Sequence, residues 1–144
     1  MSKFKLKNRQ DIKAESVTGV RFEFDDGVWF QSLRAGGSNA KYTAALSVMN
    51  QELMRKYGSR PVPRDVHRHH QAKLYADTCL IDWHVPGEDG PVPFTPAAAL
   101  ELLTDPQFDI YWLEYDGRVS DPRNFTVQDG DGATAEQIGR DLGN

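Results

Sequence analysis

The sequence predicts a small α+β domain, mainly helical, that opens with a β-hairpin. Three observations carry this. Val20, Phe22 and Phe24 alternate with Arg21, Glu23 and Asp25, and Asp26-Gly27 then turns the chain into a second alternating run, Val28 to Gln31. Downstream, apolar residues recur at helical spacing in four or five stretches punctuated by Gly and Pro. The chain has 144 residues, 39% hydrophobic and 26% charged, enough to bury one core with short appendages.

Residues 1–16 are polar, and Phe4 and Leu6 alternate with Lys3, Lys5 and Lys7. They read as either a basic arm or a short edge strand. Residues 17–34 form the hairpin. A two-residue Asp26-Gly27 loop would put Val28 and Phe30 on the opposite face from Phe22. A three-residue Asp25-Asp26-Gly27 loop pairs Phe24 with Val28 and Phe22 with Phe30, leaving all four on one face. Burial favours the second register, with Gly27 left-handed and Trp29 on the outer face.

Ala35-Gly36-Gly37-Ser38-Asn39 breaks the chain and offers N-caps. A helix is expected over 40–57, with Tyr42, Ala45, Leu46, Met49, Leu53 and Tyr57 as its stripe and Gly58 as its stop. A second is expected over 64–84, with Val66, His70, Leu74 and Ile81 on one side and Ala72, Ala76, Cys79 and Trp83 on the next. Residues 87–93 form a loop. Thr95-Pro96 opens a short helix over 96–103, and Asp105-Pro106 opens another over 106–116 that Gly117 stops. One domain therefore spans 17–125. Residues 126–144 are a tail with a short polar helix over about 135–142, where Thr134 to Gln137 has capping-box spacing.

Chemistry-bearing residues fall mostly into structural patterns. His67, His69, His70 and His84 lack the spacing and supporting residues of a metal centre. Cys79 has Asp77 and Asp82 as neighbours, which disfavours a thiolate, and it reads as a small core residue. Asp129 to Gly132 lacks the later ligands of a calcium loop. Gly36-Gly37 precedes a helix but lacks the Lys-Ser/Thr of a phosphate-binding loop. No catalytic constellation emerges, and no metal or cofactor is expected. The weight shifts to binding.

Residues 1–73 hold 14 Lys/Arg against 7 Asp/Glu, while residues 74–144 hold 3 against 14. Either the two halves attract each other within one fold, or charged surfaces steer a partner. A single cysteine, no apolar run of membrane-spanning length and a basic start without an apolar stretch behind it point to a reducing cytoplasm.

One ordered set of motifs adds to this. It comprises Asp26-Gly27-Val28-Trp29-Phe30, then Arg34-Ala35-Gly36-Gly37-Ser38-Asn39 with Tyr42, then Leu80-Ile81-Asp82-Trp83. Gly90-Pro91-Val92-Pro93-Phe94-Thr95 and Asn124-Phe125 complete it. The set resembles the tail assembly chaperones of long-tailed bacteriophages and prophages, over roughly residues 20–125. The resemblance implies a helical protein that binds the tape measure protein and helps bring tail tube protein onto it. It also implies residence in the host cell cytoplasm, absence from the mature virion and, in some members, a longer frameshifted product. A chaperone of that kind needs exposed aromatic or aliphatic patches, and Trp29, Trp112 and Tyr115 are the expected contact residues. Self-association is expected, and no nucleic acid or membrane partner is. The alternatives are a structural virion component, such as a tail completion or connector protein, and an acidic anti-defence protein.

Overall fold

The computed structural model describes residues 3–127. Three strands, β1 (Val20–Glu23), β2 (Trp29–Ser32) and β3 (Leu80–His84), form an antiparallel sheet in the order β1-β2-β3. Helices α1 (Ala40–Tyr57) and α2 (Arg64–Thr78) connect β2 to β3. A two-stranded ribbon, β4 (Pro86–Gly87) with β5 (Gly90–Pro91), precedes α3 (Pro96–Thr104) and α4 (Asp109–Val119). This is the expected α+β fold. The short tail helix expected at 135–142 lies outside the described residues.

The hairpin adopts the register that burial favours. Phe22 pairs with Phe30 and Glu23 with Trp29, and the Phe24 N–H donates to the Val28 carbonyl at 2.8 Å. Gly27 is left-handed at φ 76°, and Asp26 beside it at φ 62°, a conformation that aspartate tolerates better than most residues. The expected first helix matches α1, and Asn39 caps it by accepting from the Tyr42 N–H at 3.2 Å.

The second helix is shorter than the expected 64–84. It ends at Thr78, and residues 80–84 become β3. Gln31 pairs with Asp82 but Ser32 pairs with Leu80, so Ile81 is an extra residue bulged out of the ladder. The bulge turns both Leu80 and Trp83 inward, at 5% and 6% exposure. That spacing of three imitates a helical stripe, which is why periodicity alone extends the helix. The Asn39 amide completes the switch, donating to the Arg34 and Thr78 carbonyls at 2.8 and 3.0 Å. One side chain thus starts α1 and satisfies a carbonyl at the end of α2.

Gly117 does not stop α4, which continues to Val119. Tyr115 and Val119 are both fully buried on either side of it, and their packing outweighs one glycine's propensity cost of about 1 kcal/mol. A 3₁₀ turn, Pro106–Phe108, leads into α4, so the α-helix proper starts at Asp109 rather than 106.

The core lies between the sheet's inner face and the helices. Tyr115 meets Phe22, Phe30 and Tyr75 edge-on, with centroids 6.2, 5.5 and 5.5 Å away. Tyr75 stacks on Tyr42 and tilts against Trp112. A smaller apolar cluster of Met49, Leu53 and Leu74 holds α1 to α2.

The N-terminal residues do not join the sheet, and Phe4 and Leu6 are exposed at 64% and 83%. From Arg9 onward the chain is tied down: the Asp11 N–H donates to the Phe125 carbonyl, and the Val127 N–H to that of Arg9. A π-helical turn, Ala14–Thr18, then buries Glu15 at 1% exposure. Its carboxylate accepts from Arg34 Nη1 at 2.6 Å, from the Ser38 N–H at 2.9 Å and from the Ser38 hydroxyl at 2.7 Å. Gly37, left-handed at φ 56°, leaves room for it, because any side chain there would strike Glu15 and Arg34.

Burial pushes the Glu15 carboxyl up, but the Ser38 bonds and the Arg34 charge outweigh it and hold its pKa below the ordinary value. A depressed folded pKa means the stabilisation is complete above the unfolded-state value and is lost as pH falls through the folded one. Glu15→Leu is expected to cost about 3 kcal/mol in urea unfolding, because it strands the Arg34 charge. Glu15→Leu combined with Arg34→Met is expected to cost less than the sum of the two single changes.

Candidate partner-binding surfaces

The strand registers place Arg21, Glu23, Trp29, Gln31, Asp82 and His84 on the sheet face opposite the core. Trp29 is its centre. The Arg21 guanidinium carbon sits 3.7 Å from its ring centroid, and the His84 ring stacks beside it at 6.4 Å with planes 24° apart. The indole is half-buried by these neighbours. The expected exterior placement of Trp29 therefore holds, as an aromatic clasped between two polar side chains rather than standing free.

Trp112 and Tyr115 are not surface aromatics. Tyr115 is fully buried and Trp112 is 8% exposed, because the face of α4 bearing Tyr111, Tyr115 and Val119 turns toward the sheet while Trp112 leans on Tyr75. The apolar residues that α4 leaves in solvent are Ile110 and Leu113, at 69% and 65%. They lie out of phase with the core stripe, a signal the sequence does carry.

Between α2 and α4 runs a groove of about 380 Å³ lined by Arg64, His67, Arg68, Trp112, Leu113 and Asp116, among others. Trp112 forms its floor. Arg68 bridges the helices: Nε donates to the Leu103 carbonyl at 2.9 Å, Nη1 pairs with Asp109, and the guanidinium lies 5.3 Å from the Trp112 ring centroid. Asp116 accepts from the Tyr75 hydroxyl at 2.6 Å. Burial and that bond to a carboxylate both push the Tyr75 pKa up.

The other motif residues resolve into structure. Trp83 packs between Phe30 and Phe94 and donates from its indole to the Val92 carbonyl at 2.8 Å, which fixes the approach to Pro93. Asp82 accepts from the Trp83 N–H. Asn124 donates to the Arg118 carbonyl near the end of α4, and Phe125 is fully buried against Phe22.

The Gly36-Gly37 loop presents its anion-binding geometry to the protein's own Glu15. His67 is exposed, His70 half-buried, and His69 meets His70 edge-on. Among the described residues no three or more His, Cys, Asp or Glu side chains converge as a metal set. Cys79 is fully buried, and burial pushes its thiol up to about 12.

A family model described as YdaY prophage protein matches residues 37–114, just over half of the 144-residue chain. The chain belongs to the YdaY prophage protein family. No curated protein and no solved structure matches it. The family match supports the phage origin that the motifs imply. The YdaY segment contains α1, α2, β3, α3 and most of α4, and hence nearly all of the α2–α4 groove. The hairpin with Trp29 precedes it.

The thiol makes a clean probe of this packing. Cys79 in the native chain is expected to react with iodoacetamide at pH 8 more than about 100-fold more slowly than in urea. Comparable rates would show that the centre of the domain opens readily.

Proposed function

We propose that this prophage protein is a non-catalytic tail assembly chaperone. It binds the tape measure protein in the host cytoplasm, brings tail tube subunits to it, and leaves before the virion matures. The observation that carries the reading is the outer sheet face, where Trp29 stands between Arg21 and His84. Large aromatics set among polar residues are the usual energetic centres of protein contacts. The ordered motifs from Gly27 to Phe125 support the same role, as does membership of a prophage family. The most nucleophilic side chain, Cys79, is committed to the core, which favours a binding role over a catalytic one.

Co-expression with the cognate tape measure protein tests this. The tape measure protein is expected to become soluble and to co-purify with several copies of this chain. Trp29→Ala is expected to reduce the amount retained roughly tenfold or more while leaving the circular dichroism unchanged. Mass analysis of purified particles is expected to find the chain absent. A tape measure protein that stays insoluble and unbound sinks the proposal, and a chain retained in particles makes it a structural component instead.

A further inference from the structure

The bridge that ties the N-terminal arm to the segment after α4 has both a direction and a register. Gln10 pairs with Thr126 antiparallel. The Asp11 N–H donates to the Phe125 carbonyl at 2.9 Å, and the Val127 N–H to that of Arg9 at 2.8 Å. These two bonds flank Gln10 and Thr126, so that pair is non-hydrogen-bonded and Arg9 faces Val127 in the next, bonded one. Phe125 is fully buried, which anchors the bridge in the core. On one side of it residues 3–9 are exposed, carry Lys3, Lys5, Lys7 and Arg9, and hold no Asp or Glu. On the other side the sequence continues Gln128-Asp129-Gly130-Asp131-Gly132-Ala133.

We propose that residues 128–133 of this chain pair with the arm, extending the bridge into an antiparallel ladder in which Asp129 faces Lys7 and Asp131 faces Lys5. The bridge sets the register, because each step back along the arm is one step on along the tail. Both carboxylates then lie opposite lysines in bonded pairs on one face, and Gly130 and Gly132 lie opposite Leu6 and Phe4 on the other. Opposite charges directly across a ladder stabilise it, and a large apolar side chain covers the backbone that a facing glycine leaves bare. A slip of one residue in either direction would set Lys5 and Lys7 against Gly or Gln and Leu6 against Asp. Both strands leave the same anchored bridge, so extending it closes no new loop. The arm's positive charge is taken up by the chain's own acids rather than offered to an outside polyanion. This pairing is independent of the chaperone reading.

Nuclear magnetic resonance on the full chain at low salt tests it. The Lys5 and Lys7 amides, which face the partner strand in bonded pairs, are expected to exchange at least about tenfold more slowly than those of Phe4 and Leu6, which face away. The Leu6 and Gly130 Hα protons, in a non-hydrogen-bonded pair, are expected to give a direct nuclear Overhauser contact. Salt at about 1 M is expected to weaken both signals. Asp129→Lys combined with Asp131→Lys is expected to abolish them. Adding Lys5→Asp and Lys7→Asp to that variant is expected to restore them, which a general loss of order would not do.

A wild type without the alternating protection and the Leu6–Gly130 contact overturns the proposal. So do signals that survive the double charge reversal. A contact seen only between differently labelled copies overturns it as well, since the strand beside the arm would then belong to a second chain.

Discussion

The Tyr115 hydroxyl is wholly buried, and the rest of the fold is arranged so that it has a partner. An unpaired buried hydroxyl costs about 1–3 kcal/mol. Ser32 Oγ lies 2.8 Å away and donates its own proton to the Leu33 carbonyl at 2.7 Å, so the tyrosine is the donor. That single bond fixes the end of β2 against the middle of α4. Once Tyr115 is seated, Phe22, Phe30 and Tyr75 have a ring to meet edge-on. The sheet and the helices then share one aromatic core.

Two polar side chains extend this order to the chain's connections. Asn39 joins the start of α1 to the end of α2 and to the loop after β2. Glu15 joins the N-terminal turn to that same loop. Both are almost fully buried, at 3% and 1% exposure, and both bond backbone groups, which apolar replacements cannot do. The loop 34–39 also reaches the end of α4, where the Ala35 N–H donates to the Val119 carbonyl, and Gly37 within it leaves room for the Glu15 carboxylate.

Local pattern carried much of this. The hairpin register followed from burial alone, because one slip would have split Phe22 from Phe30. Helix α1 was legible from its stripe, cap and glycine stop. Three features were not. The bulge at Ile81 disguised a strand as a helix. Gly117 continued a helix it was expected to end, because tertiary packing of Val119 overrode propensity. Glu15 gave no sign of burial, since its partners lie 19 and 23 residues away. The aromatic expectation for α4 erred by one face of the helix. Trp112 and Tyr115 are core, and the exposed apolar residues are the out-of-phase Ile110 and Leu113.

The charge asymmetry between the two halves of the sequence has two consequences. Part of it is internal: Arg68 from the basic half pairs with Asp109 from the acidic half and pins α2 to α3 and α4. Along the groove the balance is local as well: Arg64 and Arg68 face Asp109 and Asp116, one arginine for each carboxylate, while the whole molecule carries −4. Net charge therefore misstates what an approaching chain would feel at the groove, where the formal charges of the lining arginines and aspartates cancel. The Tyr75 hydroxyl is neutral, so its bond leaves the Asp116 charge in place and the groove stays balanced within an acidic molecule.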